Sequence, residues 1–502
     1  MASNYQRQYD KDYGKLLTKH EELLEKYDDL NIHFNDLKKL YEKNQKQLEI
    51  MTSQIKALAE ENKNKDDLIL SLNATIEQLV KVVDKLQQQI NKDSNNSNKP
   101  SGSNGYKKVI TNRREKSDKK KGGQVAHEGH VLKIKQVKKM IDSGAFEHKI
   151  IEENKTKDST KYVSRYEIDL EIKLVIKEFR DYSCQKNLNP VTYGQNIKSI
   201  SALLQFDNYI STDGVVKFIS NISNGKINLS KGTIVNWTNE LSKNATTDLE
   251  IIKAKLMKSY YTNNDDSQIK IDGERYNQIV CSNKDYTYLA INKHKSAEAI
   301  AEIGILPGFN GITIKDGASL YSNYGSKASQ CLSHILRYLK GVYELNNRPE
   351  AKTLMDYLGS INKERDQLIH NNITEFNDCR IKEIYEEYDK LLDNWQKALN
   401  EEMQSNKSKY YDNEINLLDR MKGKHKEEIL YFIKDFKVPS TNNQAEVDQR
   451  GLKVKQRIGK FRSEGGANNY ANIRSIILTL KKQKANVFDK IKLLVSGKPT
   501  LI

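Results

Sequence analysis

The sequence has few cysteines and no long apolar run, and both absences limit what the protein can be. Only four cysteines occur in 502 residues, widely separated and without a Cys-x-x-Cys pair: Cys184, Cys281, Cys331 and Cys379. This usage predicts free thiols in a reducing, cytoplasmic compartment. No apolar run approaches the length of a spanning helix, and the first residues contain no secretory signal. Membrane attachment and secretion are therefore not expected.

The overall charge is basic. Eighty-three Lys and Arg residues against sixty-seven Asp and Glu leave a formal net charge of +16. This sign favours a polyanionic partner such as double-stranded DNA. Hydrophobic residues make up 37% of the chain, a modest share for one compact globule, so we expect a multidomain protein.

A heptad repeat runs through residues 14–92. Toward its C-terminal end, β-branched residues occupy one register and Leu the register three residues later, as in Ile69, Leu72, Ile76, Leu79 and Val83. This is the a/d seam of a coiled coil, and these residue types favour two parallel strands. Residues 1–92 are therefore predicted to self-associate; a long helix that folds back on its own chain is the alternative.

Residues 93–130 are rich in Asn, Ser, Lys and Gly, a composition that cannot bury a core and predicts a flexible linker. The second half is basic, with eight cations against two acids between Lys107 and Lys121. Such an arm is expected to add salt-sensitive DNA affinity; a merely soluble linker is the alternative. The cations assigned to DNA here are Arg113, Arg114, Lys119, Lys120 and Lys121.

Two small modules are predicted next. Residues 131–187 alternate like short strands (VSRYEIDLEIKLVIKEF), which indicates a small β-rich module. Residues 188–250 contain three helical stretches, and Ser230 is a plausible N-cap of the third. These helices form either a helix-turn-helix that reads DNA or a bundle that only packs.

Residues 251–340 carry the pattern of an α/β core. Alternating residues surround Asp272-Gly273, a two-residue hairpin signal, and a third strand and a helical stretch follow. The next short strand, GITIK, ends at Asp316. Three strands in series, a crossover helix and a strand ending in a carboxylate match the order of a ribonuclease-H-like fold. That fold gathers acids from separate strands around two metal ions.

A carboxylate followed by a basic run distinguishes residues 441–463, TNNQAEVDQRGLKVKQRIGKFRS. In such a pattern the acid, Glu446, holds a divalent cation and the cations hold the DNA backbone. An ordinary solvated amphipathic helix is the alternative. The cations are Arg450, Lys453, Lys455, Arg457, Lys460 and Arg462.

Several motifs closely resemble those of the insertion-sequence-66 family of DDE transposases. NNQAE, an Arg four residues on, KVKQ, a Gly and FRS are similar to the surroundings of that family's last catalytic acid. GGQVAHEGH, PV-x-YG, GT-x-VNW and CLSHILRYLKG resemble further family segments, so the resemblance runs from about residue 106 to 495. It implies a transposase that cleaves transposon ends and joins them to target DNA, with accessory proteins of the same element as possible partners.

The resemblance also implies a catalytic triad. An ungapped alignment with the family's Asp-Glu-Thr start makes Asp265 the first acid, with Asp266 where the family has Glu and Ser267 where it has Thr. Asp316 is the second acid and Glu446 the third. Together they are expected to hold two Mg²⁺ or Mn²⁺ ions.

Further residues are assigned supporting roles by the same resemblance. His334 and Arg337 follow the family's C-x-x-H-x-x-R pattern, and they are expected to support the active site together with Asn443. Relatives carry paired Cys-x-x-Cys zinc motifs within residues 131–187, where this chain has only Cys184, so no zinc is predicted. Cys331 and His334 supply two ligands, and two ligands do not make a site.

The rest of the chain is expected to be helical. Residues 341–436 are predicted to form an insertion between the second and third acids, or a separate interaction bundle. Residues 437–502 complete the core and end in one amphipathic helix. Two other functions fit the sequence: a DNA-binding transposase relic that has lost catalysis, and a coiled-coil structural protein.

Overall fold

The protein is a mixed α+β structure with mostly helices and one five-stranded sheet over the described residues, which confirms the expected class at that level. The computed structural model describes residues 14–15, 18, 65–93, 96–97, 133–144, 147–152, 162–180, 182, 191–317, 319–406, 409–423 and 425–501. These belong to two compact units: Met1–Asn91 with Gln396–Ile415, and Lys92–Trp395 with Asn416–Ile502. The five linker cations assigned to DNA lie outside the described residues.

In the first unit, α1 is a 27-residue helix, Lys65–Asn91. The predicted helix is confirmed there, while residues 19–64 of the heptad region lie outside the described residues. Asp84 accepts the backbone N–H of Tyr410 through Oδ2 at 2.7 Å, and Gln88 Nε2 donates to the Tyr410 carbonyl at 2.9 Å. The a-position residues Ile76, Val83 and Ile90 are exposed.

The segment before residue 191 differs from the predicted β-rich module. Helix α2 spans Ile134–Asp142, and residues 147–152 and 162–180 contain no strand. Alternation in sequence makes a strand only when a neighbour supplies the ladder hydrogen bonds. Along the described part of this segment, side chains such as Val163 and Ile176 are almost fully exposed.

The helices predicted between residues 188 and 250 are confirmed. Helices α3 (Gln195–Phe206), α4 (Thr212–Ile222) and α5 (Lys231–Asn244) precede a fourth, α6 (Thr246–Met257). Ser230 caps α5, because its hydroxyl accepts the Thr233 N–H at 3.0 Å. A small core joins α4 to α5 through Val215, Ile219, Leu229 and Ile234.

The sheet contains β1 (Tyr261–Ile271), β2 (Glu274–Ser282), β3 (Thr287–Asn292), β4 (Ile312–Lys315) and β5 (Lys327–Gln330). Its order is β3-β2-β1-β4-β5; the β1–β2 and β2–β3 pairs are antiparallel, and β1–β4 and β4–β5 are parallel. The predicted hairpin is confirmed, with φ of 49° at Asp272 and 87° at Gly273. Positive φ at both central residues suits the twist of the flanking strands. Helix α7 (Ala297–Ile303) connects β3 to β4.

Helices dominate the stretch between the second and third acids, as expected. They are α8 (Leu332–Asn346), α9 (Pro349–His370), α10 (Asp378–Ser405), α11 (Asp412–Lys422), α12 (Lys426–Ile429) and α13 (Tyr431–Lys434). Arg365 of α9 donates to the carbonyls of Phe436 at 3.0 Å and Val438 at 2.8 Å. This contact holds the chain as it returns toward the sheet.

The C-terminal part forms α14 (Asn443–Ile458), α15 (Glu464–Lys482) and α16 (Val487–Val495). The single terminal helix of the prediction is two helices, because Lys484 takes a left-handed φ of 56° and the chain turns. Helix α15 covers the sheet edge: Thr287 N–H donates to Thr479 Oγ1 at 3.1 Å, and Leu289 N–H to Ser475 Oγ at 2.9 Å. Across the part of the chain that the structure describes, no helix is long and apolar enough to span a membrane.

Candidate active site

The register of two parallel strands brings Asp265 and Asp316 together. Asn263 of β1 pairs with Ile314 of β4, so the two acids follow two residues later at the same end of neighbouring strands. Neighbouring strands lie about 4.8 Å apart. Asp265 is within β1, whereas Asp316 directly follows the last residue of β4.

The pKa of Asp265 is strongly raised. Burial contributes most and the charge of Asp316 next, and together they raise the pKa of Asp265 to about 7. The Asp266 N–H, which donates to Asp265 Oδ1 at 2.8 Å, partly opposes this shift. The charges of Asp266 and Glu446 add to the rise. The site therefore concentrates negative charge that a bound cation would relieve.

Asn442 positions the third acid. As the N-cap residue of α14, it lies four residues before Glu446, and its buried side chain reaches β1. Its Nδ2 donates to the Asn264 carbonyl at 2.8 Å, and its Oδ1 accepts from Asn263 Nδ2 at 3.0 Å. Its backbone N–H donates to Cys331 Sγ at 3.2 Å. These contacts connect the first turn of α14 to the strand that carries Asp265.

A buried ion pair anchors α14 from its other side. Asp448 lies 2.8 Å from Lys482 of α15 through Oδ2, and both side chains are largely buried. The hydroxyl of Thr287 on β3 donates to the same carboxylate at 2.9 Å. Although Asp448 is two residues from Glu446 in sequence, it faces the interior and holds the helix against the sheet.

His334 lies beside the third acid. Its Nε2 is 4.0 Å from Glu446 Oε1. Burial lowers the pKa of His334, and the charge of Arg337 lowers it further, whereas Glu446 and Asp316 raise it. The ring therefore stays neutral at pH 7. The structure thus brings His334 close to Glu446 and Arg337 close to His334, while Asn443 is exposed at the first position of α14.

Arg420 of α11 is a cation that the sequence did not single out. Its Nη2 donates to Gln330 Oε1 at 2.9 Å, and its guanidinium lies 5.5 Å from the ring centroid of Tyr338. It also passes against Gly317, where a Cβ atom would come within 2.6 Å of Nη2. The glycine after Asp316 therefore makes room for an arginine that arrives from the helical insertion.

A cavity of about 490 Å³ opens next to Gly317. Basic and polar side chains contribute to its lining, among them Lys315, Gln330, Arg420 and His425. Half-buried Glu428 neutralises part of this charge, with Oε2 3.3 Å from Lys315 Nζ and 3.0 Å from His425 Nδ1. The cavity thus joins the end of β4 to the helices of the insertion.

The cations of α14 separate into two sides. Arg450, Lys453 and Arg457 are exposed, and their spacing from Glu446 puts all four side chains on one helical face. Lys455 is half-buried on the opposite side, where burial lowers its pKa. Arg462 is exposed beyond the end of the helix.

The comparisons agree with the resemblance seen in the motifs. The model of the Transposase IS66 family matches residues 191–469, more than half of the chain and all three acids. A second model, for a family of unknown function (DUF6444), matches residues 38–133. No curated protein sequence matches the chain. The chain belongs to the IS66 family of transposases.

Proposed function

We propose that this transposase cleaves transposon ends and joins them to target DNA at a centre formed by Asp265, Asp316 and Glu446. The observation that carries the proposal is the convergence of three acids that are far apart in sequence. Burial, together with the charges of Asp316 and Glu446, raises the pKa of Asp265 to about 7. A group of carboxylates that repel one another offers the hard oxygen donors that Mg²⁺ and Mn²⁺ prefer. These three residues therefore supply the donor type that two such ions would need.

We further infer that the core is ribonuclease-H-like. The strand order β3-β2-β1-β4-β5, with three antiparallel strands followed by two parallel ones, supports this assignment. The helix between β3 and β4 and the position of α14 beside β1 support it as well. In such a core the acids come from β1, from the end of β4 and from a helix that follows a long insertion.

Two bound ions would activate the attacking oxygen and stabilise the leaving oxygen of a phosphoryl transfer. The chain's own residues prepare that site. Asn442 and Asp448 hold Glu446 in place, and neutral His334 lies next to it without adding charge. The cations on the Glu446 face of α14, with Arg420 beside Gly317, would bind the phosphates of the strand being cut.

The N-terminal helix, the basic arm and helices α3–α5 would help to hold two transposon ends together. Two transposon ends must be held together, which requires at least two protomers. The exposed a-position residues Ile76, Val83 and Ile90 of α1 support self-association, because their seven-residue spacing forms the apolar seam of a coiled coil. Helices α3–α5 and the basic arm would add DNA contacts. That accessory proteins of the same element take part is a further prediction.

The decisive experiment compares wild type with Glu446→Gln on DNA that carries the element's own ends, in Mg²⁺ or Mn²⁺. The substitution removes one ligand and no phosphate contact, so cleavage should fall to background while DNA affinity is nearly unchanged. Glu401→Gln is the matched control, because Glu401 is exposed on α10. Cleavage by Glu446→Gln at the wild-type rate would sink the assignment. Tight binding without cleavage by all three proteins would instead favour a DNA-binding relic.

A further inference from the structure

We propose that Cys331, His334 and Glu446 form a site for a thiophilic divalent cation such as Zn²⁺, and that this cation competes with the two-metal centre for Glu446. Cys331 precedes the first residue of α8, His334 lies in the first turn of that helix, and Glu446 lies in the first turn of α14. The competition rests on the proposed function, whereas the cation site does not.

The three side chains already lie at nearly the required separation. One ligand atom from each residue lies within 4.8 Å of the other two. Tetrahedral zinc, with bonds of about 2.3 Å to sulfur and about 2.0 Å to nitrogen, places its ligand atoms about 3.5 Å apart. Side-chain movements of about 1 Å therefore close the site around an ion.

Two further observations point to a ligand. Nδ1 of His334 is buried and has no hydrogen-bond partner among the residues that the structure describes, and a buried nitrogen in that condition is costly. Sγ of Cys331 accepts the N–H of Asn442 at 3.2 Å. Burial raises the pKa of the Cys331 thiol, and the backbone N–H groups of Asn442, His334 and Ser333 partly oppose this rise. A thiolate bound to a cation would keep these donors satisfied.

The donor types select the class of cation. Sulfur and imidazole nitrogen with one carboxylate suit Zn²⁺ far better than Mg²⁺, which prefers oxygen ligands. On binding, the Cys331 thiol releases its proton to solvent and the sulfur donates an electron pair to the cation. Three protein ligands leave a fourth position for water or a phosphate oxygen.

Glu446 belongs to both sets of ligands. With Asp265 and Asp316 it completes an all-oxygen set, and with Cys331 and His334 it completes a mixed set. One carboxylate cannot serve both centres in full. A thiophilic cation between the cysteine and the histidine therefore withdraws Glu446 from the Mg²⁺ centre, and cleavage should stop.

Cobalt titration of the full-length protein tests the site directly. Co²⁺ bound by a thiolate gives a near-ultraviolet charge-transfer band, which we expect in wild type and which Zn²⁺ but not Mg²⁺ should remove. Cys331→Ser should abolish the band, and His334→Gln or Glu446→Gln should weaken Co²⁺ affinity by at least about tenfold. A missing band, or one that survives Cys331→Ser, would overturn the proposal.

Two control variants address two of the three other thiols. Cys379→Ser changes an exposed cysteine of α10, and Cys184→Ser changes the cysteine that follows His127 and His130 in the sequence. Both should leave the band intact. If Cys331→Ser does not fold, as judged by circular dichroism, His334→Gln decides: an unchanged affinity overturns the site.

A second experiment separates this inference from the proposed function. Zn²⁺ at a concentration that displaces Co²⁺ should inhibit Mg²⁺-dependent cleavage by wild type, and Cys331→Ser should resist that inhibition relative to its own activity without Zn²⁺. Zinc binding without inhibition would overturn the proposed competition for Glu446 but would not overturn the cation site. Cobalt binding in a protein that never cleaves DNA overturns the proposed function alone.

Discussion

The backbone N–H of Asn442 donates to Sγ of Cys331 at 3.2 Å, although 111 residues separate the two positions. The same asparagine bonds Asn263 and Asn264 of β1 through its side chain. One buried residue therefore joins the strand of the first acid, the start of α8 and the helix of the third acid. The geometry of the centre depends on this junction.

Replacing Asn442 should affect both stability and cleavage. Asn442→Ala removes two buried side-chain hydrogen bonds, and we expect a loss of about 2 kcal/mol in the free energy of unfolding. Cleavage should fall as well, because Glu446 loses its link to β1. For the stability measurement the matched control is Asn443→Ala, since Asn443 is exposed. Equal effects of the two substitutions in urea unfolding would contradict this role.

The two sides of α14 predict different salt dependences. Lys453→Ala should weaken binding to all DNA sequences and reduce the slope of log affinity against log salt by about 1, because one phosphate contact is lost. Lys455→Ala should leave the slope unchanged, since Lys455 is half-buried on the opposite side. Fluorescence anisotropy at several salt concentrations measures both slopes. A reversed result would place the DNA on the other face.

The stability of the metal-free protein should depend on pH. The pKa of Asp265 is raised in the folded state from 3.8 to about 7, so the folded chain retains a proton that the unfolded chain releases. The contribution of this proton to the free energy of unfolding is fully present below about pH 4 and is lost as the pH rises through about 7. Urea unfolding between pH 4 and 8 should reveal this loss in wild type but not in Asp265→Asn.

The control for that titration is Asp272→Asn. Asp272 is exposed in the hairpin turn, and Asn is favoured in such a turn, so the pH dependence should match that of wild type. Mg²⁺ affinity should rise over the same pH interval, because the cation must displace the Asp265 proton. A Mg²⁺ affinity independent of pH would contradict the raised pKa.

Asp448 and Lys482 should stabilise the fold only when both charges are present. Asp448→Ala leaves a buried ammonium without its counter-charge, and such losses cost about 3–5 kcal/mol. Burial already lowers the pKa of Lys482. The double variant Asp448→Leu with Lys482→Met removes both charges and should recover most of the lost stability. A double variant no more stable than Asp448→Ala in urea would show that packing, not charge, dominates.

Local features were predictable because neighbouring residues decide them. The Asp272-Gly273 turn follows from the ease with which these residues adopt positive φ, and the Ser230 cap from a hydroxyl within reach of a free backbone N–H. The alternation of residues 163–179 predicted strands, but the described residues 162–180 form none, because a strand also needs hydrogen bonds from a neighbouring strand.

The helices of residues 191–250, the hairpin and the family could be predicted from the sequence, because local propensities and contiguous motifs encode them. Which side chains contact one another depends on the tertiary structure. In the structure Asn442, and not Asn443, connects α14 to β1, and Asp448 faces the interior. Arg420 lies against Gly317, and Glu446 lies beside Cys331 and His334. These contacts depend on strand register and on helix packing, most of them between residues more than a hundred positions apart, and no local pattern encodes them.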